Sequence, residues 1–171
     1  MKSVFKVSTR KIMEQYPENY TKQLQRILLI INDGKEGYAK AAEQATSNHL
    51  RELFISYSNQ RRDMALELKE KIEKMGGKAE NNEGDKAGSV HRAMMSFKTA
   101  FTSDKKDDQA ILETCRTGEQ AALDVFDDIL QGSILETDLK GFITGLRMQV
   151  SQAYYEMDKL YFERFNSSPE V

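Results

Sequence analysis

Apolar residues recur at steps of three and four in four separate stretches of this chain. That period constrains the fold most, because it is the repeat of one face of an α-helix. Leu24, Ile27, Leu28, Ile31, Tyr38, Ala42 and Ala45 define the first stretch and predict a helix from about Glu18 to Thr46. Thr46-Ser47-Asn48 then offers side-chain oxygens for a new helix start. The second stretch follows as Leu50, Leu53, Phe54, Tyr57, Met64, Leu68, Ile72 and Met75, with Gly76-Gly77 as its stop. A third begins at Asp107 or Asp108 and runs through Ile111, Cys115, Ala122, Phe126 and Ile129 to Gly132. Leu139, Ile143, Leu146, Val150, Ala153, Met157 and Tyr161 make the fourth. Two prolines and ten glycines in 171 residues leave these stretches almost free of breakers, so the expected class is all-α.

Short turns join the first stretch to the second and the third to the fourth, which predicts two antiparallel helix hairpins. The link between the hairpins is about thirty residues, Lys78 to Asp107, long enough to run back along a bundle. Within it Val90, Ala93, Met94, Phe97 and Phe101 predict a short helix. One long crossover containing a short helix is the arrangement of ferritin-like four-helix bundles. Residues 1–16 read as an N-terminal arm whose Val4, Phe5, Val7, Ile12 and Met13 could pack on the body before Pro17 interrupts. Residues 17–166 form a single four-helix-bundle domain, large enough for a core without disulfides or a structural metal, and 167–171 a polar tail.

Charge and composition remove several classes of function. Lys plus Arg number 25 against 27 Asp plus Glu, a net charge of −2, so no basic field draws nucleic acid. The longest apolar run is Ile27 to Ile31, far below the roughly 18 residues of a bilayer span, and the N-terminus lacks a signal-type apolar region. No membrane insertion is expected. The single cysteine, Cys115, lies on an apolar helical face, which fits a buried thiol in a reduced compartment and a cytoplasmic location.

Two charges break the apolar stripes. Arg61 falls between Tyr57 and Met64, and Glu119 between Cys115 and Ala122, both at core spacing. A charge at such a depth needs a partner. The simplest expectation is an ion pair between them, surrounded by a polar layer of Tyr38, Tyr57, Tyr154 and Lys35. The competing arrangement has Arg61 reaching outward and Glu119 left free to hold an ion. Di-metal carboxylate bundles require two Glu-x-x-His pairs, yet Thr46 stands three residues before His49 and Gly88 three before His91. No metal or cofactor is therefore expected, with Glu119 as the only fallback ligand. Asp33, Glu36 and Glu43 fall off the chosen face of the first helix and read as a solvated flank. No catalytic residue emerges either, since Cys115 has no evident base and Gly84 to Ser89 lacks the ending of a phosphate-binding loop.

Two further features belong to the surface. His91 and Arg92 read as a crossover anchor, or else as a contact for an anion. Met148, Tyr155 and Phe162 repeat every seven residues on the fourth helix, opposite its core stripe. Either the crossover helix or the N-terminal arm covers this line, or it serves as the face of a homodimer or of another protein partner.

Four blocks of residues carry a resemblance: Asn32-Asp33-Gly34-Lys35-Glu36-Gly37-Tyr38, Gln60-Arg61, His91-Arg92 and Gly118-Glu119. Together they resemble an uncharacterised bacterial family of ferritin-like four-helix-bundle proteins known only as a domain of unknown function. The resemblance spans roughly residues 20–165, implies the fold, and brings no established reaction. The expected function is a non-catalytic structural or interaction module in which a polar or ion-pair layer replaces the di-metal site. A degenerate iron- or manganese-binding oxidoreductase is the alternative, and a small-molecule or lipid carrier with a Met- and Tyr-rich core the third reading.

Overall fold

In a computed structural model the backbone is described for residues 4–79 and 107–165, and side chains for 19–79 and 107–163. The described residues form four α-helices and no strand: α1, Val4–Gln44; α2, Asn48–Lys74; α3, Asp108–Gly132; and α4, Thr137–Phe165. The predicted crossover helix, His91 and Arg92 lie outside the described residues, as does the polar tail.

α1 departs from the expectation at its start. It continues back through Pro17 to Val4, where the sequence predicted a break and a new start near Glu18. Proline forfeits a single backbone hydrogen bond and fixes a helical φ, so the good helix formers around it carry the helix on.

Side-chain pairs give the directions of the helices. Arg26, midway along α1, reaches Asp128 near the end of α3 at 3.2 Å. The amides of Thr46 and Ser47, just past the end of α1, donate to the Asp108 carboxylate at 2.8 and 3.1 Å. α1 and α3 are thus antiparallel neighbours. Arg147 brackets Asp127 with bonds of 2.6 and 2.9 Å, and Arg116 reaches Asp158 at 2.9 Å, so α3 and α4 are antiparallel as well. α1 packs against both α2 and α3, and α3 packs against α4. With α2 reversing α1 across a short turn, α2 and α3 run parallel, and the ends to be joined between them lie at opposite ends of the bundle.

Local chemistry sets the helix ends. The Ser47 side chain accepts from the Leu50 amide and caps α2, while Asp107 accepts from Ala110 at 2.8 Å and caps α3. α2 stops in a Schellman turn: Gly76 donates to the Glu73 carbonyl at 2.9 Å, Gly77 to Ile72 at 3.0 Å, and Gly76 takes φ +79°. At Gly77 a Cβ would lie 2.7 Å from the Thr21 Cγ2 and 3.0 Å from the Ile72 Cγ2, so only glycine lets this turn settle on α1.

The buried side chains form two clusters. One gathers Leu24, Ile27, Leu28, Ile31, Met64, Leu68, Phe126 and their neighbours towards the Gly76 end of the bundle. The other gathers Tyr38, Leu50, Phe54, Tyr57, Ile111, Cys115 and Met157 at the Ser47 end. The seam between them carries Arg61 and Glu119.

Two predictions test this frame by urea denaturation. Gly77→Ala loses about 1–3 kcal/mol through the clash with Thr21. Asp108→Ala loses about 2 kcal/mol because two turn amides lose a charged acceptor.

Candidate functional site: a buried ion-pair layer

Arg61 and Glu119 face each other across the seam, 1% and 4% exposed. The nitrogen Nη2 of Arg61 donates to both carboxylate oxygens of Glu119, each at 2.7 Å. Nη1 donates to the Gln60 Oε1 at 3.1 Å and lies 3.2 Å from the Met64 sulfur. Tyr38 adds its hydroxyl, which donates to the Glu119 Oε1 at 2.7 Å. Both carboxylate oxygens are therefore engaged by donors from two other helices. The guanidinium also sits 5.9 Å from the centre of the Tyr38 ring, within cation–π range.

Helical spacing explains the convergence. Tyr38 follows Ile31 by seven residues, Arg61 precedes Met64 by three, and Glu119 precedes Ala122 by three, so each rides a core stripe at the same level of the bundle. Gly34 faces the arginine stem: a Cβ there would touch the Arg61 Cδ and Nε at 3.6 Å. The second cluster supports Tyr38 with Tyr57 stacked at 5.2 Å and Phe54 tilted at 6.0 Å. The Tyr57 hydroxyl donates to the Glu156 carboxylate, a short bond to α4.

Burial and charge shape the protonation of this layer. Burial alone pulls the Arg61 guanidinium down, but Glu119 and the nearby Tyr38 outweigh it and hold the group above its ordinary value. Burial pushes the Tyr38 phenol well above 10.0, with Glu119 adding and Arg61 opposing. Tyr57 rises too, through burial and then its bond to Glu156. The cation and anion match, and the two phenols stay neutral over the ordinary pH range.

Of the residues expected in the polar layer, Arg61, Glu119, Tyr38 and Tyr57 come together. Tyr154 is half-buried against the apolar core with its ring edge to Tyr155 at 5.7 Å, and no hydrogen bond links it to the pair. Lys35 contributes its carbonyl, which accepts from the Ser58 hydroxyl at 3.0 Å. Both side chains sit on flanks of their helices instead of the seam. Asp33 corrects the sequence reading: it is buried, 9% exposed, where a solvated flank was expected. α1 packs on two neighbours, so it buries a second line, Ile30, Asp33, Gly37 and Ala41, beside the stripe chosen from the sequence. That line was legible as a run of small and apolar residues at helical steps, interrupted by one carboxylate. Glu36 and Glu43 are exposed, as is His49 at the start of α2.

Asp33, Gly34, Cys115 and Gly118 join Arg61 and Glu119 around a cavity of about 20 Å³. That volume holds one water molecule and no larger ligand. Among the described residues no three His, Cys, Asp or Glu side chains come together in a way that could hold a metal ion. Glu119 fits a metal poorly, since the Arg61 guanidinium lies against both of its oxygens and repels a second cation there.

These elements define a class: an all-α four-helix bundle whose core is crossed by a buried Arg–Glu pair. The chain belongs to the family described as a domain of unknown function, DUF2383, which matches residues 19–132. The match takes in α2, α3 and the part of α1 that carries Tyr38, hence Tyr38, Tyr57, Arg61 and Glu119, and stops before α4. No curated protein and no solved structure matches the chain.

Removing one partner leaves the other charged and dry, so Arg61→Ala and Glu119→Ala each lose about 3–5 kcal/mol in denaturant titrations. The paired change Arg61→Met with Glu119→Leu stays close to the parent or exceeds it. Alkaline pH gives an independent readout. The Tyr38 phenol ionises at its ordinary value in the unfolded chain and well above it in the folded one, so its contribution is full below about pH 10. Above that, stability falls by about 1.4 kcal/mol per pH unit and per such group, and Tyr38→Phe flattens the slope.

Proposed function

We propose that this protein is a non-catalytic bundle of ferritin-like topology that acts as a structural or interaction module, with the Arg61–Glu119 pair standing where related architectures hold metal carboxylates. The observation that carries the reading is the engagement of both Glu119 oxygens by Nη2 of Arg61, with the hydroxyl of Tyr38 on one of them. A guanidinium placed at the carboxylate supplies the positive charge that a divalent ion would otherwise bring. The parallel course of α2 and α3, each antiparallel to α1, supports the topology, because only a long crossover joins two parallel helices end to end.

Catalysis by this layer has no working part. Arg61 keeps its proton, Tyr38 is held neutral, and Glu119 has no unengaged oxygen to act as a base. A carrier function through this site is opposed by the water-sized cavity.

The test is elemental analysis of protein purified without chelator after growth with added iron, manganese and zinc. The expected result is metal far below one equivalent, unchanged by Glu119→Gln. One or two equivalents of iron or manganese, lost in Glu119→Gln, would overturn the reading and favour a carboxylate metal site instead.

A further inference from the structure

One face of α4 differs from the rest of the bundle surface. Met148, Tyr155 and Phe162 are 59%, 67% and 47% exposed, among the largest apolar side chains left outside the core. Gln152 and Lys159 lie between them, and Gly141 and Gly145 extend the line towards the start of the helix, all exposed. The steps alternate four and three from Gly141 to Phe162, the register of a helix that packs along another helix.

The two glycines carry a cost that no contact among the described residues explains. Glycine inside a helix loses more backbone freedom on folding than alanine. Yet among the described residues a Cβ at Gly141 or Gly145 meets no atom within 4 Å. At the other end of the strip Phe162 is held in place: the Arg116 guanidinium lies 5.7 Å from its ring and is anchored by Asp158, and the Tyr161 ring meets it edge-on at 5.6 Å. The strip is thus small at one end and bulky, with a braced side chain, at the other.

A surface of that shape complements itself across a two-fold axis. Running α4 antiparallel to α4 of a second copy sets Phe162 of one against Gly141 of the other. Met148 meets Tyr155 twice, a favourable sulfur–aromatic contact. Gln152 falls near the axis, where two amides can each donate to and accept from the other. Charge selects the same direction. The strip is flanked on one side by Phe142, Gln149, Glu156 and Glu163, and on the other by Thr144, Ser151 and Asp158. Antiparallel pairing puts Glu163 opposite Phe142, Glu156 opposite Gln149 and Asp158 opposite Thr144, with no like charges facing. Parallel pairing would oppose Asp158 and Glu163 on both flanks and place Lys159 on Lys159, which is repulsive. The strip is about 32 Å long at the helical rise and one helix wide. That is at the small end of specific interfaces, the size of a weak and concentration-dependent contact.

We propose that α4 is a two-fold dimerisation helix, pairing antiparallel with α4 of a second copy of this chain. The proposal builds on the interaction reading above. Metal content and association state are measured separately, so either can fail alone.

Sedimentation equilibrium of the full chain over a concentration series provides the test. The expected result is a monomer–dimer equilibrium that Tyr155→Glu weakens by about tenfold or more, with the melting temperature of the dilute monomer unchanged. Gly141→Leu separates an interface from a merely structural role: better helix propensity raises the monomer's melting temperature, while overfilling the strip weakens the dimer. Orientation is read by oxidative cross-linking. Chains carrying Gly141→Cys mixed with chains carrying Phe162→Cys cross-link faster than either alone. A monomer at every concentration, a dimer indifferent to both Tyr155→Glu and Gly141→Leu, or faster cross-linking within the unmixed Gly141→Cys chains would overturn the proposal.

Discussion

A single buried arginine dictates the middle of this molecule. Arg61 is 1% exposed, and an uncompensated guanidinium at that depth would be prohibitive, so three helices must deliver partners to it at one level. α3 supplies Glu119, α1 supplies the Tyr38 ring and the space at Gly34, and α2 itself supplies Gln60 and Met64. A slip of α2 against α3 by one turn would strand the charge. The ion pair adds little net stability against an apolar replacement, yet it is matched only when α2 and α3 keep this register.

The position of the layer has consequences for packing. The core is divided into two apolar clusters that meet at the pair, one built around Leu28, Met64 and Phe126, the other around Phe54, Ile111 and Met157. The Ser47 end is pinned by charges and caps, with Asp108 gripping the turn after α1 and Asp107 capping α3 beside it. The Gly76 end is closed by a backbone turn that needs a positive φ and a missing Cβ. Apolar burial supplies the driving force, whereas the polar contacts set the alignment.

Much of this was legible in the residues. The four apolar stripes predict four helices, and the residues around them offer capping chemistry at Thr46-Ser47-Asn48, a start at Asp107 or Asp108 and the glycine stop after α2, because helical period and terminal chemistry are local properties. The ion pair was legible for a similar reason, since charges at core spacing on two helices are compatible with burial only when matched. Pro17 was misread as a boundary, because the sequence alone does not reveal whether one missing hydrogen bond ends a helix or is absorbed by it. Asp33 was misplaced because a helix that packs on two neighbours buries two faces, and the second face depends on which helices lie beside it.

Periodicity, caps and the need to neutralise Arg61 were therefore determined by the sequence itself, being consequences of spacing and charge along single helices. The tertiary structure decided how the helices are arranged around that charge: α1 between α2 and α3, Tyr38 and not Tyr154 as the hydroxyl on Glu119, and Tyr57 turned outward to Glu156. It also decided that Met148, Tyr155 and Phe162 stay exposed beside two open glycines. Such choices depend on azimuth and distance between helices, which follow from the packing of all the elements at once and are written in no single segment.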